Sequence, residues 1–381
     1  MVFICRVADP QFEKPLSGGN VYISYLILTK TELHTGQENE LHARRRFRDF
    51  TLLHELLRRE YPLHFIPPIP RKHGVKQITG DAFSPDFIPR RLSSLQRFLD
   101  RCLEHPVLKS SLHLYQFLEV SDWQHYYENA CLQINNNAES GFRTPSITGN
   151  NNGSGIFHLV SSRKAVSLPP MLLRERELCK SMENDLRQCE HLATQYLSRL
   201  QVTTQQDWTM PDKYTPSLLA DVQKLLASLQ QPNMILCKDW KQKSLTTIQD
   251  IIDCFDVLKP MLALREQKQT HIERLQRQHA HHDTSGANGN ALTKNKEASG
   301  TFRWTGWVTR KSNTVKGEEA AIHEENIDNL LQNLANYDSL LLQEISFVHA
   351  RLSRELCQML HDICSMHIRF YKSFLKRLNR R

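Results

Sequence analysis

No uncharged apolar run in this sequence reaches the roughly 18 residues that a bilayer-spanning helix requires. The opening MVFICRVADPQF has neither the basic start nor the apolar stretch of a secretory signal. Any membrane role is therefore expected to be peripheral. The nine cysteines are an odd number with no CxxC pair and no zinc-like spacing, which fits reduced thiols in a cytoplasmic chain better than a disulfide framework. HExxH, GxSxG and Walker signatures are missing, and GNNNGSG lacks the strand–turn–helix setting of a phosphate loop. His279, His281, His282 and Asp283 end a helical pattern beside a polar segment and make a poor metal site. No carboxylate pair stands out for acid–base work. The expectation is a protein that is not an enzyme, with no cofactor and no metal.

What is present is basic charge. The net charge of +8 and the pI near 9.0 favour anionic partners such as nucleic acid, phosphoinositides or an acidic membrane surface. The 381 residues suffice for two or three domains. Residues 1–123 place strand-forming runs (FICRV, VYISYLIL and a third ending in RRRFR) before helical ones, an α+β arrangement with a three-stranded antiparallel sheet. Residues 124–168 are rich in Asn, Ser and Gly and read as a flexible linker. From 169 to 381 apolar residues recur at steps of three and four, in a first stretch at Leu178, Met182, Cys189, Ala193, Tyr196 and Leu200 and most clearly from Ile327 through Leu331, Leu334, Leu341, Ile345, Val348 and Leu352 to Phe374. Three long helices are expected, the second kinked at Pro232 and Pro260, with a disordered insertion at about 282–317.

The most informative stretch is RRRFRDF, residues 44–50. Interleaved cations and aromatics could serve nucleic acid, but the other basic residues are dispersed among acids, so no nucleic-acid partner is expected. A phosphorylated lipid headgroup fits better. A phosphomonoester suits the forked, permanently charged guanidinium, and the C–H face of an inositol ring suits a flat aromatic. Arg46 and Phe47 offer both, with Lys72 beyond the rigid IPPIP run and Arg91 as further cations. Asp49 falls where a helix cap belongs, and Phe50, Leu53, Leu56 and Leu57 form the stripe that follows. On composition alone, a solvated strand edge remains the competing reading for these arginines.

RRRFRDF, then PPIPRK, then FIPRRLSSLQRFLDRCLEHPVL together resemble a PX (phox-homology) domain. With the linker and three long helices behind it, the chain resembles a PX-BAR sorting nexin, nearest the sorting nexin-4, autophagy-associated branch. The resemblance implies that Arg46 binds the 3-phosphate of phosphatidylinositol 3-phosphate, Phe47 stacks under the inositol, Lys72 meets the 1-phosphate and Arg91 holds the 4- and 5-hydroxyls. Phe47 stands where many relatives carry tyrosine, so the ring face is kept and the phenol's hydrogen bond is lost. Arg48 is expected to support the pocket, and Arg44 and Arg45 to add general attraction to an acidic surface.

The family further implies an elongated three-helix BAR-type domain at 169–381 that dimerises and senses or imposes curvature, as a homodimer or a heterodimer with another sorting nexin. It implies endosomal sorting and retrieval, a part in selective autophagy, cargo or autophagy proteins as partners, and peripheral placement on endosomes and the autophagosome assembly site. Val75 and Ile78 are candidates for shallow membrane insertion, and 155–166 (GIFHLVSSRKAV) for an amphipathic wedge. FRWTGW at 302–307 could anchor or dock a partner. The tail 369–381 carries six cations and no acid, available to an anionic leaflet or to its own helix end. Asp338 and Glu355, polar on an apolar seam, hint at a different partner chain. The alternative from another class is a coiled-coil scaffold whose PX-like part binds protein.

Overall fold

In a computed structural model the chain forms three strands and eight α-helices among the described residues, which are 2–14, 21–32, 38–70, 87–139, 169–205, 217–288 and 312–379. Strands β1 (Val2–Glu13), β2 (Tyr22–Glu32) and β3 (Glu38–Arg46) form an antiparallel sheet in that order. Side chains alternate between the faces of a strand. Cys5 and Val7 of β1, Tyr25, Ile27 and Thr29 of β2, and Ala43 and Arg45 of β3 therefore share one buried face. The register pairs Tyr25 with Arg45 and Ile27 with Ala43, so these inward residues face one another across the strands.

Helix α1 (Phe47–Glu60) follows β3 without a break and buries Phe50, Leu53, Leu56 and Leu57 against that face. Helix α2 (Phe87–Glu104) adds Leu95, Phe98, Leu99 and Cys102 to the same core. Helix α3 (Leu112–Glu119) is capped by Ser111, whose hydroxyl accepts from the Leu114 N–H and donates to Glu60 Oε2 at 2.7 Å. Helix α4 (Trp123–Glu139) then lays Trp123, Tyr126, Tyr127, Ala130, Cys131 and Ile134 onto the core. Its first turn is tied by the His125 N–H to Asp122 Oδ1, 3.0 Å. The stretch expected to be a linker from 124 thus begins as a helix. Its first turns carry aromatic and apolar residues at helical spacing, and the Asn-rich signal starts only after Ile134.

Helix α5 (Pro170–Gln205) starts with proline at its first position, where the missing N–H costs nothing. Helix α6 (Ser217–Asp239) continues through a π-helical turn, Trp240–Leu245, into α7 (Thr246–Asn288). Pro232 and Pro260 lie inside these helices as expected. Helix α8 (Ser312–Leu378) has 67 residues, about 100 Å at 1.5 Å per residue. The helices claim both ends of the segment expected to be an insertion, and residues 289–311 lie outside the described residues. Most of the expected stripe on α8 is buried, namely Leu334, Leu341, Ile345, Val348, Leu352, Met359 and Met366, whereas Leu331 of the same pattern is exposed. On α5 the buried residues include Cys179, Glu183, Leu186, Ala193 and Leu197, while Leu178 and Cys189 are exposed.

The chain divides into two compact units. One comprises Met1–Asn151, Glu177–Leu258 and Ile345–Arg381; the other comprises Asn152–Arg176 and Lys259–Glu344. Within the second, Arg265 is buried and grips Asp338 with both prongs, at 2.9 and 3.0 Å. Asp338 is therefore neutralised inside its own chain and provides no argument for a different partner. Periodicity shows where a charge lies along a helix but cannot show which cation meets it.

Candidate functional site

The β3–α1 junction sorts the arginines of RRRFRDF by strand periodicity. Arg45 shares the inward face with Ala43 and is 1% exposed. Its Nε donates to the Phe117 carbonyl at 2.9 Å, and its other nitrogens donate to the carbonyls of Arg44 and Val120. Its guanidinium lies over the rings of Phe117 and Trp123, at 5.3 and 5.7 Å. Burial pushes Arg45 down to about 10, still well above neutral pH, so it remains a cation inside the core. General attraction to a surface, expected for Arg44 and Arg45, is corrected. Arg45 ties the end of α3 to the sheet, and Arg44 donates to Asp9 Oδ2 at 3.0 Å and to Ser24 Oγ at 3.2 Å. Arg48, expected to support the pocket, is exposed, and Arg45 has the supporting role instead.

Arg46 closes the strand and is the N-cap residue of α1. Asp49, at the third helical position rather than at the cap, reaches back so that its Oδ2 accepts from the Arg46 backbone N–H at 2.8 Å. Its Oδ1 accepts from Arg46 Nε at 3.3 Å. Burial pushes the Asp49 carboxyl up, and its bonds and attraction to Arg46 pull the other way. Tyr22 lies under the Arg46 guanidinium, 5.4 Å from ring centroid to carbon, and donates its hydroxyl to Glu13 Oε2 at 2.9 Å. Arg46 is therefore fixed on one side by a carboxylate and a ring, while a third of its side chain stays open to solvent.

Arg91, in the first turns of α2, places its guanidinium 4.1 Å from the centroid of Phe47 and 4.4 Å from that of Phe87. Distances this short require approach over the ring faces, since edge contacts keep carbon atoms farther from the centroid. The fold thus brings three of the four expected headgroup residues together: Arg46 and Phe47 in sequence, and Arg91 upon Phe47. Lys72, with Val75 and Ile78, lies outside the described residues, as do 155–166 and 302–307. Arg91 Nε and the hydroxyl of the almost fully buried Tyr25 find no hydrogen-bond partner among the described residues. Burial, opposed by the nearby charge of Arg91, pushes Tyr25 up to about 12, so its hydroxyl stays protonated. Unmet donors beside a cation suit a ligand rich in oxygen acceptors.

Helix α2 does a second job that its sequence did not advertise. One to three turns beyond Arg91, Arg97 Nε donates to Asp250 Oδ2 at 2.7 Å. Arg101, 3% exposed, donates to both carboxylate oxygens of Glu355, at 3.0 and 2.6 Å. Arg351 donates to Glu355 Oε1 at 2.9 Å and also meets Glu104, and Arg354 donates to Glu104 Oε2 at 3.1 Å. The ring of fully buried His105 lies edge-to-face on Phe347, 4.8 Å between centroids. Glu355 is thus satisfied from within, and the seam argument for a different partner is corrected there too. Burial pushes the Glu355 carboxyl up, but Arg101 and Arg351 outweigh it and hold it below the usual range.

The sheet, its helices and the β3–α1 junction define a PX domain. A family model of the PX domain matches residues 33–121. Sorting nexin C1711.11 of Schizosaccharomyces pombe is 29% identical over 98% of this chain and 98% of that protein. Sorting nexin-4 of Colletotrichum higginsianum is 30% identical over 85% of this chain and 67% of its own length. Sorting nexin-4 of Aspergillus fumigatus is 45% identical over 122 residues, 32% of this chain and 24% of that one. Among solved structures, the cryo-EM structure of the SNX-BAR Mvp1 tetramer aligns over 97% of this chain and 99% of that chain, at 14% identity and a TM-score of 0.48. The chain belongs to the sorting nexins, of the sorting nexin-4 type, with a PX domain at 33–121. It is accordingly a membrane trafficking adaptor that associates peripherally with endosomal membrane.

Proposed function

We propose that the chain recognises phosphatidylinositol 3-phosphate at the β3–α1 junction. Acting as a dimer without catalysis, it would couple this recognition to membrane curvature in endosomal sorting, retrieval and selective autophagy. The observation that carries the headgroup reading is the fixed Arg46, a third open to solvent, beside Phe47, with Arg91 stacked on that ring. A permanently charged fork, a ring face and a second guanidinium are the elements a 3-phosphorylated inositol requires. Lys72, by its place after IPPIP, would supply the cation for the 1-phosphate, and Val75 and Ile78 would reach the bilayer. A single such pocket binds weakly, and a dimer presenting two raises avidity through effective concentration. Homodimers and pairs with another sorting nexin are both compatible with this reading.

Flotation of the full chain with vesicles tests it. Vesicles containing phosphatidylinositol 3-phosphate should retain the wild type, and Arg46→Gln should lose most of that binding. Equal flotation with and without the 3-phosphate would remove the lipid reading. It would leave the scaffold reading, in which the PX part binds protein.

A further inference from the structure

Arg91 is held by more than its own helix. Phe87, one turn earlier on α2 and 9% exposed, presents its ring to the guanidinium at 4.4 Å, while Phe47 of α1 presents its own at 4.1 Å. An arginine side chain ordinarily samples many rotamers, and fixing it on binding costs conformational entropy. Two ring faces remove that freedom beforehand and favour the cation electrostatically, more strongly because the site is largely desolvated. Nε is buried without a hydrogen-bond partner among the described residues, so no bond from that nitrogen sets the orientation of a group flanked by two rings. The arrangement also commits one face of Phe47 to Arg91 and leaves only the other for a sugar ring.

We infer that Phe87 is a positioning residue of the headgroup pocket: with Phe47 it clamps the Arg91 guanidinium flat, so that its nitrogen edge meets the hydroxyls of a 3-phosphorylated inositol headgroup already oriented. This inference rests on the phosphoinositide reading of the site. Phe87 touches no ligand in it and acts wholly through Arg91. It also explains why a phenylalanine serves at position 47, since that ring's task toward Arg91 needs a face and no phenol.

The test is a double-mutant cycle on the full chain, read as affinity for vesicles of phosphatidylcholine with phosphatidylinositol 3-phosphate, alongside thermal melting. Phe87→Leu should weaken binding roughly tenfold, equivalent to about 1.4 kcal/mol. Phe87→Tyr, which keeps the ring, should stay within about twofold. In an Arg91→Gln background, Phe87→Leu should cost little further, because the clamp then has nothing to hold. Equal losses from Phe87→Leu in both backgrounds would show a general structural role and overturn the clamp. So would wild-type affinity in Phe87→Leu while Arg46→Gln abolishes binding, and the pocket reading would then survive. If the wild type itself does not distinguish the 3-phosphate, the pocket reading falls and takes the clamp with it.

Discussion

At the scale of single residues, four neighbouring arginines have four different fates. Arg44 pairs with Asp9 at the sheet surface, Arg45 enters the core, Arg46 faces the proposed headgroup site and Arg48 stands in solvent. Strand alternation dictates the first three, because Arg45 lies on the face of Ala43 while Arg44 and Arg46 lie on the other. Removing the buried guanidinium orphans three carbonyl acceptors and two cation–ring contacts. Arg45→Met should therefore destabilise the chain by about 2–3 kcal/mol in chemical denaturation, whereas Arg48→Ala should stay within about 0.5 kcal/mol. Comparable losses for the two variants would contradict the assignment. The alternation was legible in the sequence. That an arginine would tolerate the inward position was not, because its tolerance depends on carbonyls supplied some seventy residues away.

At the scale of elements, α2 connects the proposed headgroup site to the long helices. Its first turns carry Phe87 and Arg91, and its later turns carry Arg97 and Arg101 to Asp250 on α7 and Glu355 on α8. Neutralising Glu355 leaves the buried Arg101 and the partly buried Arg351 without their shared counter-charge. Glu355→Gln should cost about 3 kcal/mol and raise amide exchange in both α2 and α8, while a variant that leaves exchange in α2 untouched would show the elements to be independent. Acid should act the same way. The folded Glu355 sits below its ordinary value of 4.5, so its contribution is complete above that pH and disappears as pH falls through the lower folded value. Thermal melts between neutral pH and pH 3 should show this loss, and the Glu355→Gln variant should show less of it. Periodicity located these helices well, but no period reveals that a glutamate on one helix answers an arginine two hundred and fifty-four positions earlier.

At the scale of the whole molecule, several large apolar side chains of the long helices remain exposed in the single chain. Among them are Leu360, Ile368, Tyr371 and Leu375 toward the end of α8, and Leu192, Val202, Met234 and Ile235 on α5 and α6. The steps of eight, three and four on α8 keep its set on one helical face. This face supports the proposed dimer, so Ile368→Glu should shift the chain toward monomer in light scattering with its helical content unchanged. An unchanged molar mass would place the dimer contact elsewhere. The same variant should lose vesicle avidity while leaving the single-pocket preference for the 3-phosphate intact. Raising salt should weaken binding to acidic vesicles through screening of the basic tail at 369–381 without abolishing headgroup selectivity.

The sequence by itself determined the order of strands before helices, the three long helices and their prolines, and the junction where Arg46 and Phe47 stand together. These follow from local rules: residue type, period two or 3.6, and a helix cap within four residues. Only the tertiary structure decided that Arg45 is the supporting arginine and not Arg48, and that α4 belongs to the first core. It also decided that Asp338 and Glu355 are already neutralised, and that Arg91 lies upon the rings of Phe47 and Phe87. Each of these depends on which distant group supplies the partner for a charge or a ring. Burial makes that partner obligatory, while a linear pattern contains no record of its identity.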